Sequence, residues 1–485
     1  MSEKFFISTA IPYVNAKPHI GFALELAQAD FIARYKRSHG KDVFFVTGTD
    51  DNALKNVQAA EDAGLPVEKF VHDQAKRFKE LAEKLNISND YFIETSIDPK
   101  HIEGAQKLWK AAGKDIYKKE YAGLYCVGCE EFKTEKELVN GRCNEHPDRD
   151  LVKVSEENYF FKLSSYEKKL KELIKSDKLK IVPESRKNEM LSFIESGLED
   201  FSVSRSVERA RGWGIPVPED DSQIQYVWFD ALSNYINSLD YANKSEKFEN
   251  YWENAEEIVH VIGKGISRFH AIYWPAMLLS AGVRLPDTVF VHGYVTIDNQ
   301  KMSKSLGNVI DPVTLIEKYG TDAVRYFLTR HINPFEDSDF SEERLAEAYQ
   351  ADLANGLGNF ASRVSTLAAE AGELTSSKVD GQIESEIENA RKNIENAVSQ
   401  FRIHEAVAAA WNLIHFGDGY IDKKKPWESK DKKVIFDLVV LLDNIASLVA
   451  PVVPNAADKI TSAINWKDKD RISVKKIEAL FPRLE

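Results

Sequence analysis

Two apolar runs near the N-terminus set the pattern of the chain. "KFFISTAI" spans residues 4–11 and "DVFFVTGTD" spans 42–50. Between them, "ALELAQADFIARYKR" repeats apolar positions at helical spacing. Short apolar strands separated by a helix predict a parallel α/β sheet. Residues 51–118 carry a mainly helical pattern, and from 119 the texture breaks into short, polar, glycine-punctuated pieces. Alternation returns at 224–232, 256–265 and 286–297, so the sheet is interrupted by an insertion spanning 119–223. After Pro334 no proline occurs until Pro426, and apolar residues recur three and four apart. That spacing predicts a bundle of amphipathic helices over 335–485. The chain thus divides into 1–118, 119–223, 224–334 and 335–485.

Composition narrows the class without naming it. The 485 residues exceed what one core normally organises. A hydrophobic share of 43% and a charged share of 29% are those of an ordinary globular protein. No apolar run approaches the ~18 residues that span a bilayer. The N-terminus shows no basic-then-apolar leader, so a cytoplasmic location without membrane partners is expected. A net charge of −13 argues against a basic coat for non-specific nucleic-acid binding, leaving room only for local patches.

The cysteine count does change the picture. All three cysteines, Cys126, Cys129 and Cys143, fall in "CVGCEEFKTEKELVNGRCNEH". An odd, clustered set fits metal better than disulfides. The pattern is C-x2-C, thirteen residues, then C-x2-H. Cys126, Cys129, Cys143 and His146 offer a tetrahedral zinc knuckle. Four protein ligands close the coordination sphere, so one structural zinc per chain is expected, folding a small insertion.

Two further segments offer phosphate chemistry. In "AIPYVNAKPHIGF" a strand turns into a helix and presents His19 and Gly21 at the helix start. Helix starts carry unpaired N–H groups and positive potential, and His19 can donate to an anionic oxygen. Gly21 leaves space for a nucleotide beside the backbone. In "DNQKMSKSLGN", Lys301 and Lys304 stand with Ser303 and Ser305 on a loop, a set suited to clamping a polyphosphate. No P-loop pattern occurs.

These motifs, together with "VTGTD", "YCVGCE", "ENYFFKLS", "WGIPVP", "YVWFDALSNY", "FHAIYWPAML" and "KKKPW", run the length of the chain. The sequence resembles the class I aminoacyl-tRNA synthetases, and within them the methionyl-tRNA synthetase family. The resemblance implies a Rossmann-type catalytic domain, 1–118 and 224–334, split by a zinc-knuckle connective insertion. An all-α anticodon-binding bundle follows. It implies ATP-dependent ligation of L-methionine to its tRNA through methionyl-adenylate, with Mg2+ accompanying ATP. His19 and Lys304, assisted by Lys301, would act on the phosphates. Gly21, Gly263 and Lys264 would complete the ATP site. Methionine would meet Ile11, Tyr13, Asp50, Trp228, Ala231, Leu232, Tyr235, Ile266, His270 and Trp274, with Asp50 on the α-ammonium. Asn359, Arg363 and Trp427 would read the anticodon, beside the six lysines between Lys423 and Lys433. Asp418 stands where the family usually has asparagine, which puts that contact in question.

Three departures fall near the expected catalytic site. Phe22 replaces the second histidine of the first signature. Asp51, Asn52 and Ala53 replace a usual Glu-His-Gly, and Gly265 replaces an acid. They motivate an alternative reading, a catalytically impaired paralogue that keeps tRNA binding. The intact "KMSKS", Asp50 and His19 favour an active enzyme. The insertion is too short for a folded editing domain, which disfavours synthetases for branched aliphatic residues. A monomer is expected, with no tRNA-binding module appended to the bundle.

Overall fold

The computed structural model describes residues 2–128, 131–133, 138–146, 148–302, 308–375, 378–468 and 471–484. The chain divides into two compact units. The first comprises Met1–Pro18, Lys36–Glu80 and Ser88–His292, and the second His19–Tyr35, Leu81–Ile87 and Gly293–Glu485.

A six-stranded sheet organises the first unit. Its strands are β1 (Lys4–Thr9), β2 (Asp42–Thr49), β3 (Tyr91–Glu94), β4 (Lys180–Val182), β5 (Glu257–Gly263) and β6 (Thr288–His292). The spatial order is β3-β2-β1-β5-β6-β4, with every neighbouring pair parallel. The central strands are covered on both faces: Phe5, Phe6, Ile7, Val259 and Val261 are fully buried, as are the polar Ser8, Thr9 and His260. Strand order reverses between β1 and β5, and the carboxyl ends there form the switch point where open α/β sheets bind ligands.

Several details differ from the pattern-based expectation. β3 lies inside the stretch read as helical, because four residues between two helices are too few to show a period. β4 comes from the stretch after the knuckle and joins the sheet edge beside β6. The segment 224–232 is not one strand: pairing stops at Gln225, and the helix α2 (Val227–Asn237) follows. The run 286–297 also splits. β6 ends at His292, and Val295–Ile297 pairs with Gln300–Lys301 in a small separate sheet. Gly293 permits that break, since a Cβ there would lie 2.2 Å from the Glu336 carbonyl oxygen.

In the second unit the long helices are α3 (Asn359–Ala371), α4 (Gly381–Ser399), α5 (Ile403–Lys424) and α6 (Lys432–Val449). Their apolar stripes, such as Ile383, Ile387 and Ile394 on α4 and Leu438, Leu441 and Ile445 on α6, are buried. A three-stranded antiparallel sheet of Leu374–Thr375, Ile464–Asp468 and Arg471–Val474 completes it. These strands are too short to have been read from sequence.

This unit also holds the larger part of α1 (Ile20–Ser38). Arg325 is fully buried, 2.7 Å from the Asp30 carboxylate on α1. It also donates to the carbonyls of Leu85, Pro451 and Val452. A buried guanidinium is tolerated only when its donors are satisfied in this way. Among the described residues, no helix is long and apolar enough to cross a membrane.

Candidate functional site

At the switch point of the first unit, the backbone carries the strand pairing one step past the sheet. Tyr13 and Asp50 form an isolated parallel bridge, and the Asp50 N–H donates to the Pro12 carbonyl at 2.9 Å. Asp50 is thereby fixed at the carboxyl end of β2, with 1% of its surface exposed. The Asn56 side chain donates to its carbonyl at 2.9 Å, and the Asn52 N–H donates to its Oδ1 at 3.2 Å. Ile11 is buried on the same turn.

Trp228, Ala231, Leu232 and Tyr235 lie on α2 at i, i+3, i+4 and i+7, so one helix face carries all four. Ile266, His270 and Trp274 are four apart on a second helical run. That run passes through a π-turn at Phe269–Tyr273, a form frequent at functional sites. The two faces meet. Trp228 stacks on Phe269 with ring centroids 3.8 Å apart, and Tyr13 lies 6.0 Å from Trp228. Tyr235 lies 6.2 Å from Trp274.

His270 has a defined tautomer. Its Nδ1 lies 3.1 Å from the Ile266 carbonyl, which can only accept, so Nδ1 carries the proton. Nε2 then accepts from the Tyr235 hydroxyl at 2.6 Å. Burial holds the imidazole pKa down at about 4, so the ring is neutral at physiological pH. The unfolded chain protonates near 6.5, so this group's stabilisation is complete above that value and is lost as pH falls towards 4. The His270 ring signals in an NMR titration should stay constant from pH 8 to 5. Titration between 6 and 7 would contradict the buried relay.

At the second departure, Asp51, Asn52 and Ala53 are packed into structure. Asn52 donates to the Asp230 carboxylate of α2 at 3.3 Å, and Ala53 is fully buried. Asp51 accepts from the Ser96 hydroxyl at 2.9 Å, while the Trp213 indole donates to its carbonyl at 2.9 Å. Burial outweighs these bonds and pushes the Asp51 carboxyl up to about 7. Gly265 lies exposed between Lys264 and Ile266, in a short 3-10 turn that follows Gly263 at the end of β5.

In the second unit, His19 precedes α1 and its carbonyl accepts from the N–H groups of Phe22 and Ala23. The Gly21 N–H donates to His19 Nδ1 at 3.0 Å. The neutral ring therefore carries its proton on Nε2. The ring is solvent-accessible, yet enough protein surrounds it for desolvation to lower its pKa. A side chain at position 21 would come within 2.9 Å of the ring, so glycine is required for this fold-back. Met302 approaches the same point at 3.6 Å, and the Ile20 N–H donates to the Ile310 carbonyl at 3.2 Å. The two ends of the lysine loop thus frame the start of α1. The loop springs from a hairpin whose Asp298 and Asn299 both have φ near 55° (52° and 57°), the geometry of a type I′ turn. Lys301 lies on its returning strand. Lys304, Ser303 and Ser305 lie outside the described residues. Phe22 is buried, with 7% of its surface exposed.

In the knuckle, ligand atoms of Cys126, Cys143 and His146 all lie within 4.8 Å of one another. Both thiols are buried, and the Cys126 sulfur lies 3.9 Å from His146 Nδ1. A Cβ at Gly128 would collide with the His146 ring at 2.4 Å, which explains the glycine in "CVGC". The cluster can hold a metal ion. Cys129 lies outside the described residues.

On the bundle, Asn359 and Arg363 occupy successive turns of α3. The Arg363 guanidinium lies 5.7 Å from the Trp427 ring centroid. Burial raises the Asp418 carboxyl to about 6 against the opposing pull of Arg363. Sequence reasoning missed Phe269, Ser96 and the Asn52–Asp230 pair. Each is positioned by tertiary packing and has no local signature.

Comparison with known proteins adds independent findings. The family profile described as tRNA synthetases class I (M) matches residues 5–150 and 135–365. The profile of the anticodon-binding domain of tRNA ligase matches 380–482. The methionine–tRNA ligase of Caldanaerobacter subterraneus subsp. tengcongensis is 40% identical over 517 residues, covering 100% of this chain and 80% of that protein. The Brucella suis methionine–tRNA ligase is 39% identical over 476 residues, covering 94% and 91%. The structure of Mycobacterium tuberculosis methionyl-tRNA synthetase in complex with methionyl-adenylate superposes with a TM-score of 0.91 at 35% identity, covering 99% and 100%. The apo form of that enzyme gives 0.85 at 32% identity, covering 100% and 99%.

Proposed function

We infer that this chain, which belongs to the methionyl-tRNA synthetase family of class I aminoacyl-tRNA synthetases, ligates L-methionine to its tRNA through methionyl-adenylate. The observation that carries the reading is Asp50, a buried carboxylate at the sheet's switch point in the same unit as an aromatic-lined wall.

Asp50 pairs with the methionine ammonium. Tyr13, Trp228 and Trp274 favour a polarizable thioether through sulfur–aromatic contact. His270, tied to Tyr235 and Ile266, supplies a neutral polar wall without a charge to repel the ammonium. A methionine carboxylate oxygen attacks the α-phosphorus of ATP. A bond from that phosphorus to oxygen forms, and the bond to the departing pyrophosphate breaks. His19 Nε2–H, Lys301 and Lys304 stabilise charge on the phosphates, with Gly21, Gly263 and Lys264 lining the nucleotide site. Mg2+ bound with ATP would neutralise part of the phosphate charge. A ribose hydroxyl of the tRNA then attacks the methionyl carbonyl, releasing AMP. Asn359, Arg363 and Trp427 hold the anticodon. Phe22, Asn52 and Gly265 reshape the site without removing His19 or Asp50, and nothing in the comparisons supports the impaired-paralogue alternative. Labelled methionine should charge methionine tRNA when ATP is present. No charging by folded protein would overturn the reading.

The knuckle takes zinc, with Cys129 as the fourth ligand. Two buried thiols and an imidazole make a soft donor set, and its role is to hold the insertion together. Elemental analysis should find about one zinc per chain. Chelation, or Cys126→Ser, should lower the thermal midpoint by several degrees. An unaltered midpoint in metal-free protein would contradict the structural role.

A further inference from the structure

Every residue of α1 from Phe22 to Ala33 is buried, including the polar Glu25, Gln28 and Asp30. A helix at a protein surface is held in rotation by the contrast between its apolar stripe and its wet face. A helix covered on all sides lacks that contrast, and hydrophobic burial has no direction of its own. Ala23, Ala27, Ala29 and Ala33 lie within the buried stretch and give neighbouring elements little relief to grip.

Directional contacts are concentrated instead at Asp30. One of its carboxylate oxygens takes both Arg325, at 2.7 Å, and Arg34 Nε, at 2.7 Å. Arg325 is aimed by the carbonyls of Leu85, Pro451 and Val452. Arg34 reaches the Asn86 side-chain oxygen at 3.2 Å, and the Asn86 amide donates to Asn455 at 2.9 Å. Asp322, on the same helix as Arg325, accepts from the N–H groups of Asn455 and Ala456. The segment 81–87, the helix Thr321–Arg330 and the segment 451–456 thus converge on one carboxylate of α1, all within the second unit.

A buried ion pair is poor evidence of stability, because apolar residues of similar volume often serve a fold as well. Its best-attested use is to fix register. Asp30 lies about 15 Å along the helix axis from Ile20, and a helix transmits its rotation and axial position over that length. At that end stand His19 and the Ile20 N–H that donates to the Ile310 carbonyl. We propose that Asp30 and Arg325 are positioning residues for adenylation: they fix the register of α1 and, through it, the placement of His19. The inference rests on the adenylation reading above.

The test measures single-turnover adenylation by the full chain at saturating methionine and ATP, on protein shown to be folded by circular dichroism. Wild type is compared with the apolar pair Asp30→Leu and Arg325→Met, each with and without His19→Ala. The apolar pair should leave methionine affinity within a few-fold and slow adenylation about ten- to a hundredfold, the scale of an ångström-sized misplacement. His19→Ala should cost about a hundredfold in the wild type but less than about tenfold in the apolar-pair background, where the imidazole is already out of place. A pair with a merely structural role would give losses that multiply. An apolar pair as fast as wild type, or a His19→Ala loss equal in both backgrounds, would overturn the proposal. Arg34 is part-exposed, so Arg34→Met should fold even if the apolar pair does not. It should then show a few-fold loss with the same non-additivity, and no loss, or a loss that multiplies with that of His19→Ala, would overturn the proposal in its turn. Folded wild type that forms no adenylate would remove the adenylation reading itself, whereas an active wild type with multiplicative variants removes only the role of Asp30 and Arg325.

Discussion

Replacing His19 with alanine is expected to slow methionyl-adenylate formation about a hundredfold, the usual consequence of removing one preorganised donor to developing charge. Methionine affinity should change little. The expectation follows from the tautomer. The Gly21 N–H occupies Nδ1, so the remaining ring proton sits on Nε2 and is available to a phosphate oxygen. Desolvation lowers the pKa, which favours the neutral ring as the donor. A contact made mainly in the transition state affects the rate and not substrate binding. Single-turnover adenylation at saturating substrates reads this directly, and an unchanged rate would remove His19 from the phosphate site. Gly21→Ala should mimic the loss in part, because a methyl group at that position drives the ring out of its fold-back.

The second large effect is on binding. Asp50→Ala is expected to weaken methionine binding by about a hundredfold or more, since truncating one partner of a buried charge pair costs about 2–5 kcal/mol. Pro12 and Asn56 hold the Asp50 backbone and the Asn52 N–H donates to its carboxylate, so the group is placed before the ligand arrives. Asp50→Asn keeps the shape and removes the charge, so it should lose most of the same affinity. Calorimetric titration with methionine checks this. A Kd within a few-fold of wild type for both variants would move the ammonium site elsewhere.

Legibility in the sequence followed the length of each signal. β1, β2 and β5 were readable because both sheet faces are buried, so their apolar runs are continuous. α4, α5 and α6 were readable because many turns repeat one stripe. β3, β4 and the strands around Leu374 are two to five residues long and leave no period. The strand read across 224–232 failed at Tyr226, where the backbone turns from strand pairing into α2. The candidate site divides in the same way. Trp228, Ala231, Leu232 and Tyr235 follow helical spacing once α2 is known. The Tyr235–His270–Ile266 relay depends on a π-turn, and the approach of Arg363 to Trp427 on tertiary packing around α3. Neither is encoded by neighbouring residues. Phe22 looked like a lost phosphate ligand, yet it is a buried side chain on the first turn of α1, where an imidazole would be desolvated.

Methionine is joined to ATP on this chain before any RNA is involved. The direct measurement is mass spectrometry of zinc-loaded protein incubated with methionine, ATP, Mg2+ and pyrophosphatase. Methionyl-adenylate is expected in the wild type, sharply reduced in Asp50→Ala and slow to appear in His19→Ala. Folded protein that binds methionine tRNA but yields no adenylate would contradict the account and leave the RNA-binding paralogue as the reading that stands.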